Sequence, residues 1–352
     1  MRSIRPYRLF QVLWIFPLFT MLLISNNIAL AFDWILLPKF KKKAIKDPIF
    51  IMSLPRSGTT NLFHGLTTSN SPFTAMSLWE IIFAPSVIQK KTYKFIWKYC
   101  PFFLKKIIKR IDKNIFKKLN NIHRISLLNK EEDEMIMMWA LSSIYLSFFY
   151  PESQVMRDLF RFDIDIYDKR KNRIMRIYYR MVQRHLYVFN QNNNKRFISK
   201  NPSMAAKVEG ISSFFPSGKA IVIERDPCCI FPSTEKLQSF LFKLSTDLPI
   251  TKNEKLAIAE ILEDFRMNLQ LNLVKKKVMP FIVIRFNDLL NNRVDVFKKL
   301  LKWLDSDINL ELKDGTSHQT KASYIPLSKI EFNQSLKNPW PTWPNENFLN
   351  IN

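Results

Sequence analysis

The sequence predicts an α/β fold built on a central, mostly parallel sheet, and two observations predict it. Short apolar runs recur along the chain, and stretches of helical sequence separate each run from the next. Strands that alternate with helices in this way form βαβ units, whose strands lie parallel. Hydrophobic residues are 47% and charged residues 24% of the 352, which is the balance of a folded chain rather than a disordered one.

Glycine is scarce, and its scarcity excludes two common nucleotide-binding motifs. The chain has five glycines, Gly58, Gly65, Gly210, Gly218 and Gly315. A dinucleotide fingerprint needs glycines two and then three residues apart, and a Walker A loop needs two glycines five apart, followed by lysine. No pair of these glycines has either spacing. A Rossmann dinucleotide enzyme and a Walker A kinase or NTPase are therefore disfavoured.

Cysteine usage and net charge narrow the class of protein further. Cys100, Cys228 and Cys229 include an adjacent pair and form no Cys-x-x-Cys motif, so we expect neither a disulfide framework nor a metal site. A reducing compartment is the default expectation. The 54 Lys and Arg against 30 Asp and Glu give a net charge of +24, which indicates an anionic partner.

The first element is an apolar stretch at residues 9–32, with arginines before it and lysines after it. About 20 apolar residues span a bilayer, but Gln11, Pro17 and the pair Asn26-Asn27 interrupt this stretch. We interpret residues 1–46 as a membrane-associating segment whose helix lies on or dips into the interface. A single span and a buried helix of the following domain are the alternatives. Because the flanking charges are nearly balanced, the positive-inside rule gives no orientation.

The remaining elements belong to a domain predicted over residues 47–352. IFIMSL at 49–54 has the apolar run of a buried parallel strand, and a loop and a helix follow it. An insert at about 86–195 is basic and aromatic, and we expect helices in it at 131–146 and 172–191. The acidic first turn of the 131–146 helix is interpreted as a solvated turn that favours the helix dipole. Three further strands are predicted at 196–200, 219–224 and 281–286.

The residues that follow these strands are those of an anion site. In an open parallel sheet, ligands bind outside the carboxyl ends of the strands. Arg56, Ser57, Gly58, Thr59 and Thr60 follow the first strand, Lys200 ends the second, and Arg225 follows the third, with Ser233 eight residues later. Gly58 permits a sharp turn, and the helix after it offers N–H groups and a positive dipole end. Cations, hydroxyls and a helix N-terminus together favour two separated anionic groups.

These segments resemble motifs of the sulfotransferases that use 3′-phosphoadenosine-5′-phosphosulfate (PAPS). PIFIMSLPRSGTT resembles the 5′-phosphosulfate loop, and KAIVIERDPCCIFPS resembles the 3′-phosphate motif. FISKNPSM is similar to the Lys-x-Pro segment of the family, and FIVIRFNDLL to its late strand. The matches follow the family order from about residue 37 to about residue 305. The sequence departs from cytosolic members in carrying Arg56 where they carry Lys, and in lacking their C-terminal Arg/Lys-Gly-x-x-Gly segment.

The resemblance implies a P-loop NTPase-like, three-layer fold that binds PAPS and releases adenosine 3′,5′-bisphosphate, with no metal. By position in the motifs, Arg56, Ser57, Gly58, Thr59 and Thr60 would hold the 5′-phosphosulfate. Arg225 and Ser233 would hold the 3′-phosphate. Arg56 and Lys200 are expected to bridge the leaving phosphate and the sulfonate. In-line transfer to an acceptor hydroxyl spreads charge over the sulfonate oxygens, so fixed cations suit this chemistry.

The acceptor hydroxyl also needs a general base, because its pKa lies far above 7. Glu80 matches the position at which carbohydrate and tyrosylprotein sulfotransferases place a catalytic glutamate, and we predict it as the base. A salt-bridge role for Glu80 is the alternative. His64, His123 and the run Glu131-Glu132-Asp133-Glu134 are the other options for the base. Cys228 and Cys229 are interpreted as buried small residues.

Acceptor recognition is expected in the insert, whose lysines alternate with aromatic residues as in a helix on an anionic membrane surface. We expect the acceptor to be a hydroxyl-bearing lipid, glycan or small molecule, and the apolar N-terminal segment favours an amphiphile among these. We expect a membrane-associated enzyme facing the cytoplasm, since the one sequon, Asn333-Gln334-Ser335, and the cysteines do not suit a Golgi lumen. A catalytically inactive PAPS-binding protein or an anionic-membrane-binding protein on the same fold is the alternative. No nucleic-acid partner is expected, because charge alone would be its evidence.

Overall fold

Five parallel strands form the central sheet of the computed structural model, in the order β2-β3-β1-β4-β5. The structure describes residues 11–68, 70–116, 125–148, 154–246, 251–306 and 339–351, together with Leu327 and Leu336. The strands are β1 (Ile49–Ile51), β2 (Phe73–Thr74), β3 (Arg196–Lys200), β4 (Lys219–Glu224) and β5 (Phe281–Arg285). The predicted α/β class and parallel sheet are confirmed. β2 was not predicted, because two residues are too short for an apolar pattern.

Helices cover both faces of this sheet. The longer ones are α1 (Phe16–Leu36), α2 (Thr59–Leu66), α3 (Leu78–Phe83), α4 (Val87–Tyr99), α5 (Phe102–Ile115), α6 (Asp168–Phe189), α7 (Val208–Phe214), α8 (Pro227–Thr246), α9 (Lys252–Leu269), α10 (Phe286–Asn291) and α11 (Arg293–Trp303). Single turns and 3-10 or π segments occupy Gln11–Ile15, Pro38–Lys42, Asp133–Ala140, Ile144–Phe148, Gln154–Arg157, Asp158–Arg161, Phe162–Asp165, Pro202–Ala206, Gln270–Lys275 and Asn345–Asn347.

The alternation of side chains along the strands divides the core into two layers. In β1, Phe50 packs in one hydrophobic cluster and Ile49 and Ile51 in the other. The cluster around Phe50 includes residues of α6, α7 and α9, and the cluster around Ile49 includes residues of α2 and α11. Successive residues of a strand point to opposite faces, so the sheet lies between two helical layers, as the three-layer expectation requires.

Parallel pairing brings the functional ends of the strands together. Ile51 lies opposite Lys200 of β3 and Ile221 of β4, so β1 ends beside the end of β3. The strand ends of β1, β3 and β4 therefore share one edge of the sheet, and the loops that leave them lie beside one another.

The segment predicted as one helix at 131–146 is instead two 3-10 helices, Asp133–Ala140 and Ile144–Phe148. Leu141 has a left-handed φ of 50° at the break between them. Glu134 accepts the backbone N–H of Ile144, and Asp133 accepts hydrogen bonds from Tyr178 and Ser199. These tertiary hydrogen bonds hold the acidic residues in the core and override the helical pattern of the sequence.

One face of the N-terminal helix α1 packs against the domain. Phe19, Leu22, Leu23 and Leu30 pack against the main core, at helical spacing. Asp33 is buried, accepts the N–H groups of Val87 and Ile88 at the start of α4, and forms an ion pair with Arg184 at 2.8 Å. By length and composition alone, Leu13–Leu36 is long and apolar enough to cross a membrane.

Candidate anion-binding site at the carboxyl edge of the sheet

The loop after β1 makes the tight turn that an anion cradle needs. Arg56 and Gly58 both have left-handed backbones, with φ of 64° and 96°. A Cβ atom on Gly58 would lie 2.7 Å from the ring of Phe286, so the position has room for glycine only. Gly58 is the N-cap of α2 and provides no side-chain cap. The N-terminus of α2 therefore points its backbone N–H groups and its dipole at the loop.

Two distant segments of the sequence meet at this loop. Nε of Arg56 donates to the Ser233 hydroxyl at 3.0 Å, and Nη1 of Arg225 donates to the carbonyl oxygen of Arg56 at 2.6 Å. The Arg225 guanidinium also lies over the ring of Phe286, 4.3 Å from its centroid. The structure thus brings together the residues of the two predicted phosphate motifs, which lie about 170 residues apart in the chain.

Lys200 approaches the same loop from β3. Its ammonium lies 3.4 Å from the Thr60 hydroxyl, and its side chain is buried. The ammonium pairs with Glu132 at 3.0 Å and lies 4.0 Å from a carboxylate oxygen of Glu131. A buried lysine with carboxylate partners is a fixed cation, whereas a solvated lysine at a strand end would be free to move.

The hydroxyls of the loop differ in their surroundings. Ser57 is buried and donates to the carbonyl oxygen of Leu54 at 2.7 Å, so its side chain holds the turn. Thr59 is buried and Thr60 is half-buried. Next to Ser233, the buried hydroxyl of Thr234 has no hydrogen-bond partner among the described residues. Thr234 directly follows the segment that resembles the 3′-phosphate motif, and buried hydroxyls in proteins usually have a hydrogen-bond partner.

Glu80 lies in a separate buried ion network. Its Oε1 is 2.6 Å from Nδ1 of His185 and 3.4 Å from the Lys90 ammonium, and its Oε2 accepts the N–H of Ser77. Burial opposes the charge of Glu80, but His185 and Lys90 outweigh burial and lower its pKa. Both carboxylate oxygens have partners outside the phosphate loop. These contacts give Glu80 a structural role, and its assignment as the general base stays a prediction.

The acidic run after residue 130 is buried, so its interpretation as a solvated turn was wrong. Glu131, Asp133 and Glu134 are each at most 5% exposed. Burial raises the pKa of Glu131 to about 7, with Lys200 opposing the rise and Glu132 adding to it. The apolar residues Met135 to Trp139 directly after the run were the signal that this segment enters the core.

The other predicted candidates lie apart from these contacts or outside the described residues. His64 is exposed on α2. His123 and the sequon Asn333-Gln334-Ser335 lie outside the described residues. Cys228 is buried as expected and Cys229 is half-buried, and burial raises the pKa of both thiols. Among the described residues, no group of three or more His, Cys, Asp and Glu is placed to hold a metal ion.

The comparisons with known proteins concern the family and the fold of the chain. A model of the sulfotransferase family matches residues 48–309, which include every strand. The omega-hydroxy-beta-dihydromenaquinone-9 sulfotransferases Stf3 of Mycobacterium bovis and Mycobacterium tuberculosis are each 27% identical over 199 residues. That match covers 56% of this chain and 46% of the relative, so the chain spans less than half the length of these curated relatives.

Solved structures share the fold. The sulfotransferase STF9 from Mycobacterium avium superposes with a TM-score of 0.60 at 16% identity, over 80% of this chain and 69% of that one. STF1 from Mycobacterium tuberculosis superposes with a TM-score of 0.57 at 17% identity, over 82% of this chain and 75% of that one. At such identities the likeness concerns the arrangement of strands and helices.

Proposed function

The chain belongs to the sulfotransferase family, and from that premise we propose that it transfers a sulfonate group from PAPS to the hydroxyl of an acceptor. The observation that carries this proposal is the meeting of Arg56, Arg225 and Ser233 at one loop, with Lys200 reaching that loop from the neighbouring strand. The donor has two separated anionic groups, and the loop has cations on two sides.

The residues at this loop fit PAPS in their chemistry. Arg56, Thr59 and Thr60 at the N-terminus of α2 would hold the 5′-phosphosulfate, with the backbone of Ser57 and Gly58 forming the turn. Arg225 and Ser233 would hold the 3′-phosphate, and next in the chain is Thr234, whose hydroxyl has no hydrogen-bond partner among the described residues. Gly58 supports this assignment because its left-handed φ of 96° makes the tight turn at the N-terminus of α2.

In the reaction, the acceptor oxygen forms a bond to sulfur while the bond from sulfur to the 5′-phosphate oxygen breaks. Adenosine 3′,5′-bisphosphate is the leaving group. Arg56 and Lys200 are placed to stabilise the negative charge that grows on the bridging oxygen and the sulfonate. The acceptor proton passes to a base, for which Glu80 remains the prediction drawn from the family resemblance.

For the acceptor, we propose an amphiphile that presents its hydroxyl at a membrane surface, with the catalytic domain facing the cytoplasm. Two observations support an amphiphile as the class of acceptor. The curated relative is named for a menaquinone derivative that carries a terminal hydroxyl, and the chain exposes long apolar faces on α1 and α5.

A transfer assay tests the proposal. The full chain is incubated with PAPS labelled in its sulfonate and with a polyprenyl alcohol in mixed micelles, beside p-nitrophenol and glucose as soluble acceptors. We expect label in the polyprenyl sulfate, lost in Arg225→Ala and retained in Arg173→Ala, which alters an exposed arginine of α6. Binding of adenosine 3′,5′-bisphosphate without label on any acceptor would instead support a catalytically inactive PAPS-binding protein.

A further inference from the structure

Helix α5 is amphipathic, yet its apolar face is uncovered. One stripe of the helix carries apolar side chains that are 40% to 60% exposed: Leu104, Ile107, Ile108, Ile111 and Ile115. Cations occupy the rest of the helix, at Lys105, Lys106, Lys109, Arg110 and Lys113. An ordinary surface helix turns such a stripe towards the core. In the described part of the chain, nothing covers this one.

The domain holds α5 through its polar side. Asp112 is buried and accepts the Ser126 hydroxyl at 2.6 Å and the N–H of Leu127 at 2.8 Å. The helix is therefore fixed in orientation while its apolar stripe faces away. A fixed, exposed apolar stripe flanked by lysines is the pattern of a helix that lies in a membrane interface.

Helix α1 presents a second exposed apolar face. Its inner face packs on the domain from Phe19 to Asp33, and its outer face is 47% to 72% exposed at Met21, Ile24, Ile28, Phe32, Trp34, Ile35 and Leu36. A spanning helix would need lipid or apolar partners around its whole circumference. The domain occupies the inner face of α1, where Asp33 pairs with Arg184, so α1 could cross a bilayer only by leaving the domain.

The exposed faces belong to neighbouring elements. Helix α4 packs on α1 and continues into α5 after Cys100 and Pro101. It exposes its own apolar side chains Phe95, Ile96 and Tyr99, with Lys91, Lys94 and Lys98 between them. We use the name α1–α5 surface for the exposed apolar side chains of α1, α4 and α5 together with the lysines beside them.

We propose that the α1–α5 surface docks the protein on one leaflet of a bilayer rich in anionic phospholipid, with α1 and α5 lying in the interface and no helix crossing the membrane. The lysines favour this occupant over a protein partner, because they border the apolar stripe where lipid phosphates would lie. The proposal goes beyond the transfer reaction, since it concerns how the enzyme is held and not which bond it breaks.

Vesicle flotation tests whether the α1–α5 surface binds anionic phospholipid. The full chain is floated with phosphatidylcholine vesicles and with vesicles of equal phosphatidylcholine and phosphatidylglycerol. We expect strong binding to the anionic vesicles, weakened about tenfold by Ile107→Glu with Ile111→Glu and retained in the control Val294→Glu, which alters an exposed residue of α11. Lys106→Glu with Lys109→Glu should weaken binding to the anionic vesicles only. Unchanged binding in both double variants, at unchanged melting temperature, would overturn the proposal.

Impermeant labelling tests the topology. Single cysteines at Ser3 and Lys46, on the two sides of α1, are placed in a chain with Cys100, Cys228 and Cys229 replaced. In membranes from cells, both sites should react with an impermeant maleimide from the same side. Reaction from opposite sides would show a span and would overturn the in-plane arrangement.

A second, independent inference concerns the general base, and it rests on the proposed function. Glu131 is 5% exposed, and its Oε1 has no hydrogen-bond partner among the described residues. Its Oε2 lies 4.0 Å from the Lys200 ammonium, which contacts Thr60 of the phosphate loop. We infer that Glu131, in place of the Glu80 expected from the family resemblance, takes the acceptor proton: the O–H bond breaks, its electrons form the O–S bond, and the proton resides on the Glu131 carboxylate.

The groups around Glu131 determine the pH range in which its carboxylate is protonated. Lys200 and Glu132 face it, and Tyr145 donates to the other side of Glu132 at 2.6 Å. Burial raises the pKa of Glu131 to about 7, so the carboxylate that can accept a proton is lost as the pH falls below about 7. Transfer should therefore have an acidic limb near neutrality.

The pH profile of kcat distinguishes Glu131 from Glu80. We expect Glu131→Gln to lower kcat by about 100-fold or more and to leave the affinity for adenosine 3′,5′-bisphosphate within about twofold, with partial recovery in Glu131→Asp. Glu80→Gln should keep the acidic limb. Full activity of Glu131→Gln, or loss of the limb in a folded Glu80→Gln protein, would overturn the assignment. If the wild-type chain transfers no label, the proposed function itself fails.

Discussion

At the scale of single residues, the charged side chains of the candidate site have specific partners within the fold. Arg225 holds the carbonyl oxygen of Arg56 and stacks on Phe286 at the same time. A guanidinium does both because it is planar and has a fork of donors, whereas an ammonium is a compact point charge. A positive charge alone at residue 225 would therefore not make both of these contacts.

The first prediction follows from that geometry. Arg225→Lys keeps the positive charge but loses the stack and the fork, so the affinity for adenosine 3′,5′-bisphosphate should fall by about tenfold or more. Isothermal titration calorimetry measures this, with Arg173→Lys on the exposed side of α6 as the matched control. Affinity equal to that of the wild type would show that only charge matters at residue 225.

The second prediction concerns the buried network of Glu80, Lys90 and His185. Removing the carboxylate charge leaves the buried Lys90 ammonium without its ion-pair partner, so Glu80→Gln should reduce the free energy of unfolding by about 3 kcal/mol. Urea unfolding measures it. Glu209→Gln, which breaks a half-exposed pair with Lys276, should change that free energy by at most about 1 kcal/mol.

The same network sets a pH dependence of stability. The pKa of Glu80 is lower in the folded protein than its ordinary value of 4.5, so ionised Glu80 stabilises the fold above that value. This contribution should disappear as the pH falls below 4.5 through the lowered pKa of the folded state. In Glu80→Gln the acid-dependent loss of stability should be smaller. Identical pH profiles for the two proteins would contradict the ion network.

At the scale of elements, the phosphate loop depends on a backbone that only glycine adopts readily. Gly58→Ala combines a left-handed φ of 96° with a contact of 2.7 Å to Phe286, so we expect a cost of about 1–3 kcal/mol. The displaced turn should also weaken bisphosphate binding by about tenfold or more. Gly210→Ala in α7 is the control, and its bisphosphate affinity should be unchanged. Wild-type affinity in a folded Gly58→Ala protein would rule out this role of the turn.

Helix α1 is the second element with a direct test. It caps α4 through Asp33 and pairs with Arg184, so the domain should lose stability without it. We expect a chain lacking residues 1–37 to melt at a lower temperature than the full chain, and Asp33→Ala to reproduce part of the loss. Calorimetry measures both. Equal melting temperatures would make α1 a detachable anchor and residues 47–352 an independent domain.

Elements also show how far the sequence predicts this fold. Apolar runs between helices located β1, β3, β4 and β5, and the rule that parallel strands share an edge placed Arg56 beside Arg225 and Ser233. The acidic run at 131–134 could not be placed from its own pattern. Its conformation depends on Tyr178, Ser199 and Lys207, which lie 45 to 73 residues further along the chain.

At the scale of the whole molecule, the net charge of +24 has more than one role. Arg56, Lys200 and Arg225 lie at the carboxyl edge of the sheet. Lys90 pairs with Glu80 in the buried network, and Arg184 pairs with Asp33 of α1. The lysines of α4 and α5 border the α1–α5 surface. Composition indicated an anionic partner, and the cations that we propose for a nucleotide lie on other elements than those that we propose for a membrane.

We propose that the carboxyl edge of the sheet binds a nucleotide with both a 3′- and a 5′-anion. The melting temperature of the full chain with adenosine 3′,5′-bisphosphate, AMP or ATP tests this binding. A ligand at about 100 times its Kd stabilises the native state by about 2.7 kcal/mol. We expect the bisphosphate to raise the melting temperature by several degrees, and AMP and ATP at the same concentration not to raise it. No shift with the bisphosphate, or an equal shift with ATP, would contradict it.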